Sequence, residues 1–348
     1  MASDPADRAV CVSGMAWHTA LGTDLNDVWQ RLLRGDTGDS TASADATEQL
    51  VRLATLTAKA ALRNAGIGVD LLVLGSSLGA SLDGAAGNTW TGEVAEALGV
   101  RQPPVSLSTA CSSGSDAVLT AAALIRAGVA DRVLCGGVDV LSEAKRLGHS
   151  ALGTLSPTEI RPFDADRDGT VLGEGAGFLV LESREAARAR GAQVWGEVRG
   201  WGSSNDASGP TAPDRTGGAA VLAVRRALKK AGARAEDIAV INAHGTGTPS
   251  NDATEAACYT TLYGDGAAKP ILFATKASFG HTLGATGAIE VIALLLALHH
   301  GKVPPLARTR SVMAELPLPV GPSPVEGKLG FSLTLGFGGF NTCLVVAA

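Results

Sequence analysis

The stretch "VSLSTACSSGSDAV", Val105 to Val118, decides the fold. A short apolar run ends in Cys111, Ser-Ser-Gly-Ser follows, and a helical pattern begins. A strand that hands over directly to a helix is the joint of α/β proteins. A thiol at that joint sits at a helix N-terminus, where free N–H groups and about half a positive charge favour thiolate over thiol. The position therefore predicts a reactive cysteine with a lowered pKa. Ser112, Ser113 and Gly114 leave room for a substrate to approach. The competing reading is a cysteine used only as a small core residue.

The chain repeats this joint. "AALRNAGIGVDLLVLGSS", "GEVAEALG" and "PPVSLSTACSSGSDAVLTAAALIRAGV" read as helix, strand, helix, strand, loop and long apolar helix. "RALKKAGARAEDIAVINAHG", "DATEAACYTTLYG" and "KPILFATKASFGHTLGATGAIEVIALLLALHHGKV" give the same order. Gly114 to Gly128 and Gly287 to Gly301 are both 14 residues apart, so the two apolar helices align without a gap. Helices at 115–127 and 287–300, apolar nearly all round, are expected to be buried between sheets. The reading is two α/β halves, 1–189 and 190–348, related by duplication. The first carries the cysteine, and the second carries two histidines and a lysine.

Bulk properties fit a large enzyme-sized core. The chain has 348 residues, 45% hydrophobic, and a net charge of −5. With no basic tract, a nucleic-acid partner is not expected. Five scattered cysteines, Cys11, Cys111, Cys135, Cys258 and Cys343, form no CxxC pair. That argues against a disulfide framework or a zinc site and points to a reducing cytoplasm. The N-terminus lacks the apolar stretch of a signal peptide. "AIEVIALLLAL", Ala288 to Leu298, is too short to span a bilayer, so no membrane association is expected.

Two further stretches change the weight of Cys111. In "NAHGTGTPSND", Asn242 to Asp252, a strand releases His244 into a Gly/Thr loop, the place where α/β sheets bind ligands. In "TKASFGHTLGATGAIE", Thr275 to Glu290, Lys276 and His281 precede the second buried helix. By the repeat, this loop is the counterpart of the Cys111 loop, and a two-fold fold would bring both over one site.

These three stretches resemble the active-site motifs of the elongating β-ketoacyl-carrier-protein synthases of the thiolase superfamily, the Cys-His-His kind. So do "RPFDADRDGTVLGEGAGFLVLE", Arg161 to Glu182, and "LGFGGFN", Leu335 to Asn341. The resemblance runs from about residue 105 to the end. It implies a thiolase-like duplicated α/β fold of five layers, αβαβα, with two mixed sheets and buried central helices, usually as a dimer. Cys111 would accept an acyl group from a carrier thioester. A malonyl thioester would lose CO₂, and the enolate would attack the acyl-cysteine. His244 and His281 would hydrogen-bond the developing enolate oxygen. Lys276 would supply positive charge. Glu290, Asn242, Thr246 and Thr248 would support these groups. The N–H groups of Cys111 and Phe337 would hold the acyl oxyanion, with Phe337 and Gly338 forming a gate. No bound cofactor and no metal are implied, since phosphopantetheine on an acyl carrier protein delivers both substrates.

The chain also departs from that pattern. Its first half is short, in regions that carry dimer contacts, acyl-channel wall and carrier docking. Leu333 stands where relatives usually have an Asn, which in some of them holds a cation with the counterparts of Asn242 and Glu290. Leucine offers no oxygen ligand, so that ion is not expected. Phe340 replaces a threonine near the site. Gly75 to Gly79 has the Gly-x-Ser-x-Gly form with Ser77 as nucleophile, but the glycine-broken "ASLDGAAGNTW" follows where a helix is required. "GEGAG", Gly173 to Gly177, runs into a strand, which excludes a dinucleotide loop. The expected activity is a dissociated, type II ketosynthase of polyketide or fatty-acid-like biosynthesis, acting as a homodimer or beside a second ketosynthase-like subunit. A non-decarboxylating acyltransferase using the same residues, or one subunit of a ketosynthase/chain-length-factor pair, remains open.

Overall fold

A computed structural model describes residues 9–39, 46–78, 89–264 and 269–348. The first half contributes strands β1 (Val10–His18), β2 (Leu71–Gly75), β3 (Val105–Leu107), β4 (Arg132–Asp139) and β5 (Gly175–Ser183). The second half contributes β6 (Gly196–Asn205), β7 (Val240–Asn242) and β8 (Ile271–Phe273). A short ribbon, β9 (Lys302–Val303) and β10 (Ser323–Pro324), precedes β11 (Leu329–Gly336) and β12 (Phe340–Ala347). The main sheet runs β3-β2-β4-β5-β1-β6-β12-β11-β7-β8. Numbered within its own half, each side has the order 3-2-4-5-1, mirrored about the β1–β6 junction. That is the expected duplication, seen in strand order.

The junction differs from two separate mixed sheets. β1 and β6 pair antiparallel at Val10/Val198, Cys11/Glu197 and Val12/Gly196, so the halves hydrogen-bond into one ten-stranded mixed sheet. Pairing between strands so far apart in the chain has no local signature in the sequence.

The described helices are α1 (Leu25–Arg34), α2 (Ala46–Ala65), α3 (Trp90–Leu98), α4 (Ser113–Arg126), α5 (Glu143–Ala151), α6 (Arg184–Ala189), α7 (Gly218–Ala231), α8 (Pro249–Tyr263), α9 (Lys276–Phe279) and α10 (Thr286–His300). Three apolar clusters record the layering. α2 and α3 cover one face of the first half, and α7 and α8 cover the outer face of the second. α4 and α10 form the middle layer and pack on strands of both halves. Side chains alternate along β5 accordingly. Phe178 and Val180 face the outer helices, while Leu179 and Leu181 face the central pair. The segment Leu283–His300 is apolar and long enough to cross a membrane by composition, yet 89% of it is buried inside the fold. It is the core helix of the middle layer.

The central helices touch through their glycines. A Cβ on Gly114 would lie 2.8 Å from the Gly284 carbonyl and 3.1 Å from the Ala288 nitrogen. One on Gly287, the repeat equivalent, would lie 1.8 Å from Ser115 Oγ and 2.8 Å from its nitrogen. The turns that enter the two helices match as well. Ala110 (φ 52°) and Leu283 (φ 49°) occupy equivalent positions, each opening a 3₁₀ turn, Ala110–Ser112 and Leu283–Ala285. A left-handed non-glycine residue costs on the order of 1–2 kcal/mol and persists where packing enforces it. Ser77 follows β2, but residues 79–88, where a nucleophile elbow would show its helix, lie outside the described residues.

Gly287→Ala should destabilise the fold by about 1–3 kcal/mol, since backbone must shift to admit the methyl group. Gly92→Ala, in α3 with nothing within 4 Å of the added carbon, should be neutral or gain up to about 1 kcal/mol. Chemical denaturation of both variants checks this.

Candidate active site

The helix crossing brings the two turns together. Cys111 Sγ lies 3.1 Å from His281 Nε2, and both residues are buried. The His244 and His281 rings meet edge to face, with centroids 5.4 Å apart. Together they floor a cavity of about 240 Å³, lined also by Thr246, Thr248, His149 and Phe337. Thr246 and Thr248, expected to support the site from behind, reach the cavity itself, their hydroxyls 2.9 Å apart.

Hydrogen bonds fix where the histidine protons sit. The Leu283 N–H donates to His281 Nδ1 at 3.2 Å, and the Thr286 hydroxyl lies 3.0 Å from the same nitrogen. The Lys276 ammonium lies 3.2 Å from His244 Nδ1, and it can only donate. In both rings Nδ1 accepts, so the neutral ring carries its proton on Nε2. Burial first, then the Lys276 charge, pushes both histidines well below the usual histidine range. At neutral pH they are uncharged N–H donors.

The partners of His244 are themselves anchored. Lys276 Nζ donates to the His244 carbonyl and forms a buried ion pair with Glu290 on α10. That is the partner a lone buried acid requires. Asn242, at the end of β7, donates from Nδ2 to the Glu290 carbonyl at 2.9 Å. Asn242 Oδ1, Glu290 Oε2 and Ser332 Oγ are buried with no hydrogen-bond partner among the described residues. Oxygens of this kind suit water or a hard cation. Leu333, next to Ser332 in β11, is fully buried in the outer apolar cluster of the second half and adds no oxygen.

Two acids that sequence reasoning missed hold the His244 loop. Glu255 accepts the His244 and Gly245 N–H groups at 2.9 and 2.7 Å. Asp252 accepts from Phe163 and Gly247 at 2.7 and 3.2 Å. Burial, and then Glu255, pushes Asp252 up to about 7. Their signal was two acids three apart in a helical stretch, Pro249–Tyr263, that carries no basic residue of its own, and Arg167 reaches Asp252 from outside it at 3.8 Å. Asp139 on β4 was missed too. It accepts the Ser77 and Gly284 N–H groups, both at 2.8 Å, and so ties the His281 turn to the first half, while Lys145 pairs with it.

The glycine loop divides its roles. The Phe337 N–H points at the Cys111 sulfur, where an acyl oxyanion would form. The Gly338 N–H is committed to the Pro210 carbonyl at 2.8 Å, so Gly338 holds the loop and leaves Phe337 to donate. Gly339 is required by space, because a Cβ there would lie 1.8 Å from the Asp206 carbonyl. Phe340 lines a separate, shallower cavity with Thr109 and Arg226.

The expectation of a lowered cysteine pKa is overturned. Burial pushes the Cys111 thiol up to about 11, against the pull of Lys276 and the Phe337 N–H. The helix terminus is local, but loss of water is the larger effect. Cys111 and the two histidines lie within 4.8 Å, close enough to hold a metal. The proton positions disfavour one. A metal-bound histidine offers a bare nitrogen and donates its other N–H outward, and here both rings do the reverse.

Comparison with known proteins agrees with this geometry. Residues 37–187 match the family profile "Beta-ketoacyl synthase, N-terminal domain", and 195–310 match "Beta-ketoacyl synthase, C-terminal domain". The chain is 35% identical to Nodulation protein E of Rhizobium meliloti (strain 1021), over 97% of the chain and 98% of that protein. That alignment spans 398 positions against the chain's 348 residues, so the relative carries segments this chain lacks. It is 39% identical to 3-oxoacyl-[acyl-carrier-protein] synthase 2 of the same organism, over 74% of the chain and 64% of that protein. The structure of the ishigamide ketosynthase/chain length factor superposes with a TM-score of 0.88 at 30% identity, over 98% of this chain and 99% of that one.

With the thiol pushed up to about 11, alkylation of Cys111 by iodoacetamide should quicken steadily from pH 7 to 10, with Cys111→Ala as blank. A plateau between pH 6 and 8 would mean a resting thiolate–imidazolium pair instead.

Proposed function

The chain belongs to the β-ketoacyl synthase family, and we propose that it performs the decarboxylative condensation through Cys111, His244 and His281. It is an acyltransferase of the 3-oxoacyl-carrier-protein synthase class. The observation that carries the mechanism is the pair of Nε2–H donors fixed by Leu283 and Lys276.

In the first half-reaction the Cys111 sulfur forms a bond to the acyl carbon. The carrier thiol leaves with the thiol's proton. The Phe337 N–H holds the oxyanion, and the His281 Nε2–H steadies the sulfur as it gains charge. In the second, the malonyl carboxylate leaves as CO₂ and its electron pair moves onto the thioester oxygen. Two neutral donors in a water-poor site stabilise that charge without giving up a proton. The enolate carbon then bonds to the acyl carbon, and the Cys111 thiolate departs and takes up one proton.

The substrates arrive on phosphopantetheine arms of an acyl carrier protein, and Thr246 and Thr248 line the way in. The enzyme acts as a dimer, with itself or with a second ketosynthase-like subunit, in type II polyketide or fatty-acid-like biosynthesis. Its place is the cytoplasm, a reading supported by five free, buried thiols. A silent chain-length role is disfavoured by the intact Cys111–His281 contact.

Intact-protein mass after incubation with acyl-carrier thioesters should show an acyl adduct that Cys111→Ala abolishes. His281→Ala and His244→Ala should still acylate, while malonyl decarboxylation falls about 10²–10³-fold in each. Decarboxylation that survives in both variants would remove the histidine pair from the mechanism.

A further inference from the structure

A third histidine lines the cavity with the opposite polarity. His149, on α5, turns its Nδ1 to Thr154 Oγ1 at 3.1 Å. The Thr154 hydroxyl donates its single proton to the His149 carbonyl at 3.1 Å. It can therefore only accept from Nδ1, which carries the ring proton. Nε2 is left as a bare acceptor on a half-buried ring that lines the cavity. Burial lowers the His149 pKa, which keeps the ring neutral. The ring also stacks on Phe337, with centroids 5.4 Å apart and planes 28° from parallel. Phe337 is the residue whose N–H faces Cys111. His149 thus shares one cavity with the sulfur that will carry the acyl chain.

An acceptor in a partly apolar pocket costs free energy unless the ligand supplies a donor. A saturated acyl chain supplies none. We propose that His149 is a specificity-determining residue whose Nε2 accepts a hydrogen bond from a hydroxyl, or an enolised keto group, close to the thioester of the acyl donor. The chain thereby selects oxygenated acyl groups over saturated ones. This rests on the ketosynthase reading above and names its acyl substrate class. His244 and His281 donate to the substrate, and His149 accepts from it.

The test compares acylation of Cys111 by 3-hydroxyacyl, 5-hydroxyacyl and saturated acyl-carrier thioesters of equal length, in the native enzyme and in His149→Phe. Phenylalanine keeps the stack on Phe337 and removes the acceptor. One hydrogen bond is worth about tenfold in kcat/KM. The native enzyme should prefer one of the hydroxylated donors by about that factor. His149→Phe should lose the preference, its rates with the hydroxylated and saturated donors coming within about twofold of each other. Thr154→Val, which frees the ring to turn, should weaken the preference partway. An unchanged preference in His149→Phe, or an equal loss with every donor, overturns the proposal while leaving the ketosynthase reading intact. No adduct from any donor on the native protein overturns both.

Discussion

The close crossing of α4 and α10 at Gly114 and Gly287 is the constraint on which the rest depends. Neither helix carries a catalytic side chain in its middle. Each is entered through a 3₁₀ turn opened by a left-handed residue, Ala110 or Leu283. One turn presents Cys111, and the other offers the N–H that sets the His281 tautomer. The crossing therefore does more than fill the core. It places the nucleophile of one half against the donor of the other at 3.1 Å. A bulkier residue at either glycine would part the halves at the point where the chemistry is assembled.

Burial then decides the protonation states. The same loss of water that holds Cys111 as a thiol holds His244 and His281 neutral. A neutral imidazole with its proton on Nε2 is a poor base and a good donor. Condensation by decarboxylation needs the donor, because its developing charge comes from a departing carboxylate and not from a removed proton. Lys276 is central to this arrangement. It occupies the His244 Nδ1 and is itself held by Glu290.

Much of this was legible in the sequence. The repeat, the gapless pair of apolar helices and the strand-end positions of Cys111, His244 and His281 are local patterns, and local patterns survive folding. What was not legible depends on partners distant in the chain. Glu255 and Asp252 act on backbone groups of a loop, so their spacing on a helix without basic residues marks them as unusual but does not show what they hold. His149 lies on a short helix with exposed neighbours, where the pattern points to surface. The β1–β6 pairing joins the halves through three residue pairs that no periodicity marks. The thiol pKa was misjudged because a helix terminus can be read from sequence and the depth of burial cannot.

The central claim is the tautomeric state of the catalytic histidines, and ¹⁵N NMR of histidine-labelled enzyme at pH 7 tests it most directly. The ring nitrogens of His244 and His281, assigned by single substitution, should show the neutral form with Nε2 protonated and Nδ1 bare. An imidazolium signal from either ring, or a proton on Nδ1, would contradict the account.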